Sequence, residues 1–186
     1  MVFEEKRVAL KAGIACILRS PGPDDAEAVL AHLRQTSEET NFMIRYPEEI
    51  ILTVKEEEEF LEKYQTDQKS MMISAVIDGK IIANAGLSCV MDTIKYRHRA
   101  VFGISIQKEY WNMGIGTAIL SELIRWAPNA GYEQLELEVA CENERAVRLY
   151  KKMGFEIYGT RECSCKYRDE TYSSDYLMLR SLRPAG

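Results

Sequence analysis

Apolar and polar residues alternate with a period of two in several short segments of the chain, which predicts β-strands. In the clearest segment, Leu135, Leu137 and Val139 alternate with two glutamates, as expected for a strand with one buried face. An Asp-Gly pair at 78–79 lies between two apolar runs and predicts a tight hairpin turn. The predicted strands cover residues 17–19, 71–77, 80–91, 99–106, 135–140, 155–167 and 171–182.

Apolar residues three and four positions apart predict helices between these strands. Ile115, Ile119, Leu123 and Trp126 form the clearest stripe, because they fall on one side of a helix with about 3.6 residues per turn. Start and stop signals support each helix, such as the aspartate pair at 24–25 that can cap the first one. The predicted helices cover residues 24–35, 54–64, 114–127 and 143–153.

The order of these elements predicts the fold class. One strand and two helices are followed by three strands, a helix, a strand, a helix and two closing strands. Such mixing favours an α/β sandwich with a mixed, mostly antiparallel sheet of six to seven strands flanked by about four helices. No repeat or internal linker interrupts the pattern, so the sequence predicts a single domain over residues 1–186 with a core of about 16–182.

Composition and charge exclude several classes of function. The chain of 186 residues is 46% hydrophobic and 28% charged, which is typical of a globular domain. The formal net charge of −5 disfavours a nucleic-acid partner. No apolar run approaches the roughly 18 residues that span a bilayer, and the N-terminus lacks an apolar signal core. We therefore expect a cytoplasmic protein without a membrane partner.

The cysteines and histidines give little support to a metal site. Five cysteines are scattered along the chain and none forms a CxxC pair, and there are only two histidines. Cys163 and Cys165 would point to the same face of one strand, which is poor geometry for a disulfide. The sequence predicts reduced, mostly structural cysteines and no bound metal.

Gly114 and Gly116 stand where a predicted strand gives way to a predicted helix. The first N–H groups of a helix are unpaired and carry partial positive charge, and glycines let a phosphate approach them. This arrangement suits a pyrophosphate. Glycines at such a turn are also common for steric reasons alone, so both interpretations stay open on these residues. Neither GxxxxGK[ST] nor GxGxxG is present, which disfavours the common nucleotide loops.

Two longer motifs resemble the GNAT superfamily of N-acetyltransferases, in its small bacterial form. Tyr110-Trp-Asn-Met-Gly-Ile-Gly-Thr117 is similar to the family's coenzyme A pyrophosphate loop, Q/R-x-x-G-x-G/A, although Trp111 replaces the first residue of the pattern. Asn143-Glu-Arg-Ala-Val-Arg-Leu-Tyr-Lys-Lys-Met-Gly-Phe155 resembles the later motif N-x-x-A-x-x-L-Y-x-K-x-G-F. The resemblance extends from about residue 16 to 182 and implies a GNAT-type sandwich that uses acetyl-CoA as cosubstrate.

The same resemblance implies the residues that contact the coenzyme. Backbone groups of the strand before the loop would bind the pantetheine arm as a surrogate strand, and an asparagine at position 143 contacts the same arm in the family. Asn143 is also a good N-cap, which explains it without any ligand. The implied coenzyme-binding residues are Ile104, Ile106, Met113, Gly114, Ile115, Gly116, Thr117, Asn143, Tyr150 and Lys152.

Tyr150 and Glu138 are the candidate catalytic residues. A tyrosine at position 150 of this motif would protonate the thiolate that leaves when an amine attacks the thioester. The alternative is a core tyrosine, because Tyr150 shares a helix face with Leu149 and Met153. Glu138 is the candidate base for the amine proton, and the alternative is an ordinary solvent-facing strand position.

The function predicted from these motifs is transfer of an acetyl group to a primary amine by direct attack in a ternary complex. The acceptor is a small molecule or a peptide, and an acidic surface would favour a cationic one. A catalytically silent acyl-CoA-binding or sensor domain with the same fold is the alternative. Closing hairpins often contribute to dimers in the family, so a homodimer is possible.

Overall fold

The computed structural model describes residues 1–183, in which strands and helices mix along the chain as the sequence patterns predict. The strands are β1 (Lys6–Ala9), β2 (Ala15–Arg19), β3 (Met71–Ile77), β4 (Lys80–Cys89), β5 (Arg99–Ile106), β6 (Gln134–Ala140), β7 (Glu156–Lys166) and β8 (Tyr172–Ser181). The α-helices are α1 (Ala26–Glu39), α2 (Val54–Thr66), α3 (Ile115–Trp126) and α4 (Glu144–Lys152). The predicted fold class, a mixed and mostly antiparallel α/β arrangement, is confirmed.

Contacts divide the described chain into two units. The first unit contains Met1–Ser88 and Gly103–Leu123, and the second contains Cys89–Phe102 and the chain from Ile124 onward. Strand β5 therefore contributes its first half to the second unit and its last half to the first. None of the helices within residues 1–183 is both long and apolar enough to cross a membrane.

The first unit contains strands β1 to β4 in sequential order, followed by the end of β5. β1, β2, β3 and β4 pair antiparallel with their neighbours, and the predicted hairpin turn joins β3 to β4. Asp78 and Gly79 have φ values of 49° and 77°, which are the left-handed angles that a type I′ turn requires. Helices α1 and α2 pack on β3 and β4 through a core of Ala26, Val29, Leu61, Met72, Val76 and Ile81.

The second unit contains the start of β5, followed by β6, β8 and β7. Arg99 to Val101 of β5 pair parallel with β6, whereas β6 pairs antiparallel with β8 and β8 with β7. Leu135, Leu137 and Val139 of β6 are buried, as the alternating pattern predicts. Helix α4 in this unit contains most of the second sequence motif, from Glu144 to Lys152.

The structure contains elements that the sequence patterns missed or cut short. The eight strands exceed the predicted six to seven, because Lys6–Ala9 forms an additional strand against β2. Its residues are mostly exposed and not alternating, so no pattern marks it. Helix α1 continues to Glu39 rather than residue 35. Thr36, a polar residue that an apolar pattern does not place in the core, is buried there with its hydroxyl bonded to the carbonyl of His32 at 2.9 Å.

Candidate functional site

The first turn of α3, in the first unit, presents a row of backbone N–H groups. The carbonyl of Gly114 accepts the N–H of Ala118 at 3.0 Å, which leaves the N–H groups of Ile115, Gly116 and Thr117 without intrahelical acceptors. Gly114 has a φ of +97°, and no atom lies within 4 Å of the place where a Cβ would stand. The backbone there is thus open to an anion, with the partial positive charge of a helix N-terminus behind it.

The loop before α3 is held by hydrogen bonds at both of its ends. The carbonyl of Met113 accepts the N–H of Lys11 at 3.1 Å. Trp111, which replaces Gln or Arg in the sequence motif, donates its indole N–H to the carbonyl of Ile106 at 2.7 Å. Trp111 therefore ties the loop to the end of β5. This contact gives a structural reason for the departure from the motif.

Ile104 and Ile106 direct their backbone groups toward the edge of β5 that faces away from β4. The N–H of Gln107 donates to the carbonyl of Ile82 in β4 at 3.0 Å. Because alternate residues of a strand point their N–H and C=O groups to opposite sides, Gly103 and Ser105 share the direction of Gln107. The backbone N–H and C=O groups of Ile104 and Ile106 then point to the opposite edge of β5. On this side the carbonyl of Ile106 accepts the indole N–H of Trp111.

Helix α4, in the second unit, begins after Asn143, whose side chain caps the helix. The Oδ1 of Asn143 accepts the N–H of Ala146 at 3.2 Å, so the predicted N-cap is present. Gly154, with a φ of 82°, ends the helix, and the guanidinium of Arg180 donates to the carbonyl of Met153. Lys152 is exposed in the last turn. Both ends of the helix that contains Tyr150 are therefore fixed by side-chain contacts.

The ring of Tyr150 is buried, and its hydroxyl bonds to no described residue. Only 7% of the residue is exposed, and its ring centroid lies 5.8 Å from that of Phe102 and 6.0 Å from that of Phe155. Among residues 1–183 the hydroxyl has no hydrogen-bond partner, and no buried side-chain oxygen there lacks one. The hydroxyl must therefore reach solvent. Burial raises the pKa of Tyr150 to about 12, so the phenol is protonated and can act as a donor.

Glu138 is paired with a residue outside the predicted site. Its half-exposed side chain forms an ion pair with Arg161 of β7, and within the described chain it makes no hydrogen bond to Tyr150 or Asn143. The hydrogen bond to Glu138 raises the pKa of the Arg161 guanidinium above its ordinary value. Arg161 competes for the lone pairs with which Glu138 would accept a proton.

The structure also reveals a buried polar cluster that the sequence analysis did not identify. His32 is 1% exposed, and its Nε2 lies 2.8 Å from the Oγ of Ser105, between the two isoleucines of β5. Burial lowers the pKa of His32 to about 4, so the ring is neutral. A signal was present in the sequence, since His32 falls beside Val29 and Leu33 on the apolar stripe of α1.

Comparison with known proteins identifies the family. Residues 29–155 match the model of the acetyltransferase (GNAT) family. The chain belongs to this family. A solved GNAT-family acetyltransferase of Streptococcus pneumoniae superimposes with a TM-score of 0.85 at 33% identity, covering 89% of this chain and 99% of that one. The mixed sheet and the four helices of this chain agree with GNAT-family structures.

Two further relatives extend the comparison. The L-amino acid N-acetyltransferase AaaT of Escherichia coli K12 is 34% identical over 109 residues, which are 57% of this chain and 65% of that protein. The match thus spans just under two thirds of its length. The phosphinothricin acetyltransferase of Sinorhizobium meliloti, solved in complex with acetyl-CoA, shares the fold at 18% identity with a TM-score of 0.78, covering 94% of this chain and 89% of that one.

Proposed function

We propose that this protein transfers an acetyl group from acetyl-CoA to a primary amine of a small molecule or peptide. The observation that carries the proposal is the hydroxyl of Tyr150, a protonated donor on a buried ring that bonds to no residue in the described part of the chain. A core tyrosine usually satisfies its hydroxyl within the protein. An unpartnered hydroxyl on the motif helix of a GNAT protein is better explained by a ligand.

The coenzyme would use backbone groups rather than charged side chains in the first unit. Its pyrophosphate would accept hydrogen bonds from the N–H groups of residues 113–117 at the start of α3. The pantetheine arm would add as a strand along the free edge at Ile104 and Ile106. In the second unit, Asn143 and Lys152 are proposed contacts at the two ends of α4.

The reaction requires a proton to leave the amine and a proton to reach the sulfur. A neutral amine attacks the thioester carbonyl, and the tetrahedral intermediate collapses as its C–S bond breaks. Tyr150 donates its proton to the departing thiolate, which becomes the free thiol of coenzyme A. A base accepts the proton of the amine nitrogen, and Tyr150 regains its own from solvent. Atoms and charges balance without a covalent enzyme intermediate.

Glu138 is the proposed base, and its ion pair with Arg161 provides a way to test it. Glu138→Gln should keep the strand intact and lower turnover by about 10²–10⁴ near neutral pH if the carboxylate accepts the amine proton. Part of the rate should return at alkaline pH, where more amine arrives deprotonated. Arg161→Gln is the matched control, since it frees the carboxylate without removing it. Normal turnover of Glu138→Gln would assign the proton to a water chain instead.

A catalytically silent acyl-CoA-binding domain is the alternative function. It would keep the helix N-terminus and the strand edge but would not need a tyrosine hydroxyl to donate a proton. Incubation with acetyl-CoA and a panel of polyamines, amino acids and peptides, with detection of released thiol, separates the two. Amine-dependent thiol release establishes the transferase. Binding of acetyl-CoA without release for any class of amine would favour the silent domain. The relationship to AaaT makes amino acids the first acceptors to test.

A further inference from the structure

A chain of buried polar side chains joins helix α1 to the end of strand β5 within the first unit. His32 lies at its centre, with Nε2 at 2.8 Å from Ser105 Oγ and Nδ1 at 3.4 Å from Gln107 Nε2. Ser105 and Gln107 are buried as well. Buried polar groups lower stability unless each of them is paired, so three such groups in one place call for a reason beyond filling space.

The hydrogen bonds of this cluster have one consistent direction. The amide nitrogen of Gln107 donates to the carbonyl of Ile81 at 3.1 Å and toward His32 Nδ1. Because Nδ1 accepts, the proton of the neutral ring lies on Nε2, which donates to Ser105 Oγ. The Ser105 hydroxyl in turn donates to the carbonyl of Asn84 in a long bond of 3.5 Å. Both ring nitrogens of His32, the hydroxyl of Ser105 and the amide nitrogen of Gln107 thus have partners, and such a network restricts the motion of its members.

Helix α1 holds the same stretch of chain at a second point. The carboxylate of Glu39 accepts the backbone N–H of Lys108 at 2.7 Å. Glu39 lies two turns after His32 on α1, which places the two residues on one side of the helix. The chain from Ser105 to Lys108 is therefore fastened to α1 at its beginning and at its end.

This fastened stretch is where strand β5 passes into the proposed coenzyme loop. Ser105 lies between Ile104 and Ile106, whose backbone groups face the opposite edge, and Gln107 precedes the turn that leads to Gly114. We infer that His32 is a positioning residue, which fixes the strand edge and loop that bind the coenzyme through its hydrogen bonds to Ser105 and Gln107. The inference rests on the proposed function, because it assigns the edge to acetyl-CoA.

The rival explanation is a histidine that only completes the core. Such a residue would affect the stability of the protein but not the affinity of the folded protein for acetyl-CoA. A phenylalanine would fill nearly the same volume without forming any of the hydrogen bonds. The two explanations therefore differ in coenzyme binding measured well below the melting temperature.

The test uses His32→Phe, Ser105→Ala and the double variant of the full chain. Calorimetry gives the Kd for acetyl-CoA, thermal unfolding gives the Tm, and steady-state assays give kcat and KM for the coenzyme. Small displacements of binding groups can cost one or two orders of magnitude, so we expect each single variant to raise the Kd about 10-fold. The double variant should raise it by about the same factor, because both changes break one link.

Thr36→Val is the matched control. Thr36 is as buried as His32 and lies one turn later on α1, but its hydroxyl bonds only to carbonyls of the same helix, those of His32 and Leu33. This variant should change the Tm without changing the Kd for acetyl-CoA. Ser105→Ala changes little volume and tests the link from the β5 side if His32→Phe does not fold.

The outcomes separate this inference from the proposed function. A raised Kd in the His32 and Ser105 variants, with an unchanged Kd in Thr36→Val, supports positioning. An unchanged Kd in the folded His32 and Ser105 variants, or equal effects in all three single variants, overturns it and leaves the proposed function intact. Absence of acetyl-CoA binding by the unmodified protein overturns both.

Discussion

Tyr150 is the residue whose chemistry can be tested most directly. Tyr150→Phe removes one oxygen and keeps the ring that packs against Phe102 and Phe155. Because the hydroxyl bonds to no described residue, its removal should leave the Tm nearly unchanged. If it donates to the departing thiolate, kcat should fall by about 10²–10⁴ with little change in coenzyme affinity. Unfolding, calorimetry and turnover measured on one preparation check all three expectations.

Phe155→Leu provides the corresponding control for packing around Tyr150. It removes one ring from the aromatic cluster and keeps the Tyr150 hydroxyl, so it should lower the Tm and leave kcat nearly unchanged. A Tyr150→Phe variant with normal kcat would remove the acid role from this residue. The family membership would stand, since it depends on the match over residues 29–155.

His32 should make stability dependent on pH. The pKa of its ring falls from 6.5 to about 4 in the folded protein because of burial, although Glu39 acts in the opposite direction. Between these values the unfolded chain binds the proton and the folded chain does not, so the free energy of unfolding decreases as the pH falls. The contribution of His32 to this decrease between about pH 7 and about pH 4.5 is about 2–3 kcal/mol.

Urea unfolding of the unmodified protein and of His32→Phe at the two pH values measures this contribution. The decrease on acidification should be smaller in the variant by the stated amount. Subtracting the change in the free energy of unfolding of one protein from that of the other cancels the contribution of carboxylates that titrate in the same range. Equal pH dependence in both proteins would contradict a neutral buried ring.

At the scale of elements, the N-terminus of α3 offers a variant that separates binding from folding. Thr117→Glu puts a negative charge in the first turn, which stabilises a helix by about 0.3–1 kcal/mol. The same charge would repel the pyrophosphate and should weaken acetyl-CoA binding by at least about 10-fold. The affinity for acetyl-CoA measured by calorimetry should therefore fall, while the Tm measured by thermal unfolding should rise slightly. A Gly114 variant is less clear, because a φ of +97° strains any other residue.

Thr117→Gln is the neutral control for this charge. It should leave coenzyme affinity close to that of the unmodified protein, since it lengthens the side chain without adding a charge. Unchanged affinity in Thr117→Glu would place the pyrophosphate elsewhere.

Elements with a strong pattern were predictable, and those with a weak pattern were not. Met71–Ile77 and Arg99–Ile106 have the bounds that their apolar runs predict. The cap at Asn143 was also predicted, because a cap depends on neighbours in sequence. Strand β1 was not predictable in this way, because its exposed residues are held by backbone pairing with β2. Pairing between strands depends on the fold and leaves no mark on such a short, polar segment.

The candidate site shows the same division. Motif residues such as Gly114 and Tyr150 could be proposed from the sequence because a motif is a local order of residues along the chain. The link between His32 and Ser105 joins residues far apart in sequence, so no local motif contains it. The partner of Glu138 was equally hidden, since Arg161 lies on another strand. Contacts of this kind follow from how helices and strands pack and pair, and they become visible only in the structure.

At the scale of the whole molecule, charge is the property most relevant to the acceptor. The chain has 29 acidic and 24 basic residues and a net charge of −5. A field of this sign attracts cations and repels anions before any contact forms. Exposed Arg45, in the segment between α1 and α2, is a local positive charge, and a guanidinium can bind a carboxylate.

Salt therefore distinguishes a cationic acceptor from an acidic one. With acetyl-CoA saturating, so that coenzyme binding does not limit the rate, kcat/KM for a cationic amine should fall several-fold as ionic strength rises from about 0.05 M to about 0.5 M. The reason is that the Debye length shortens from more than about 10 Å to less than about 5 Å over this range. A neutral amine of the same length should show little change. If kcat/KM is instead highest for a carboxylate-bearing amine and drops in Arg45→Gln, local recognition by Arg45 outweighs the net charge, and the preference for a cationic acceptor is wrong.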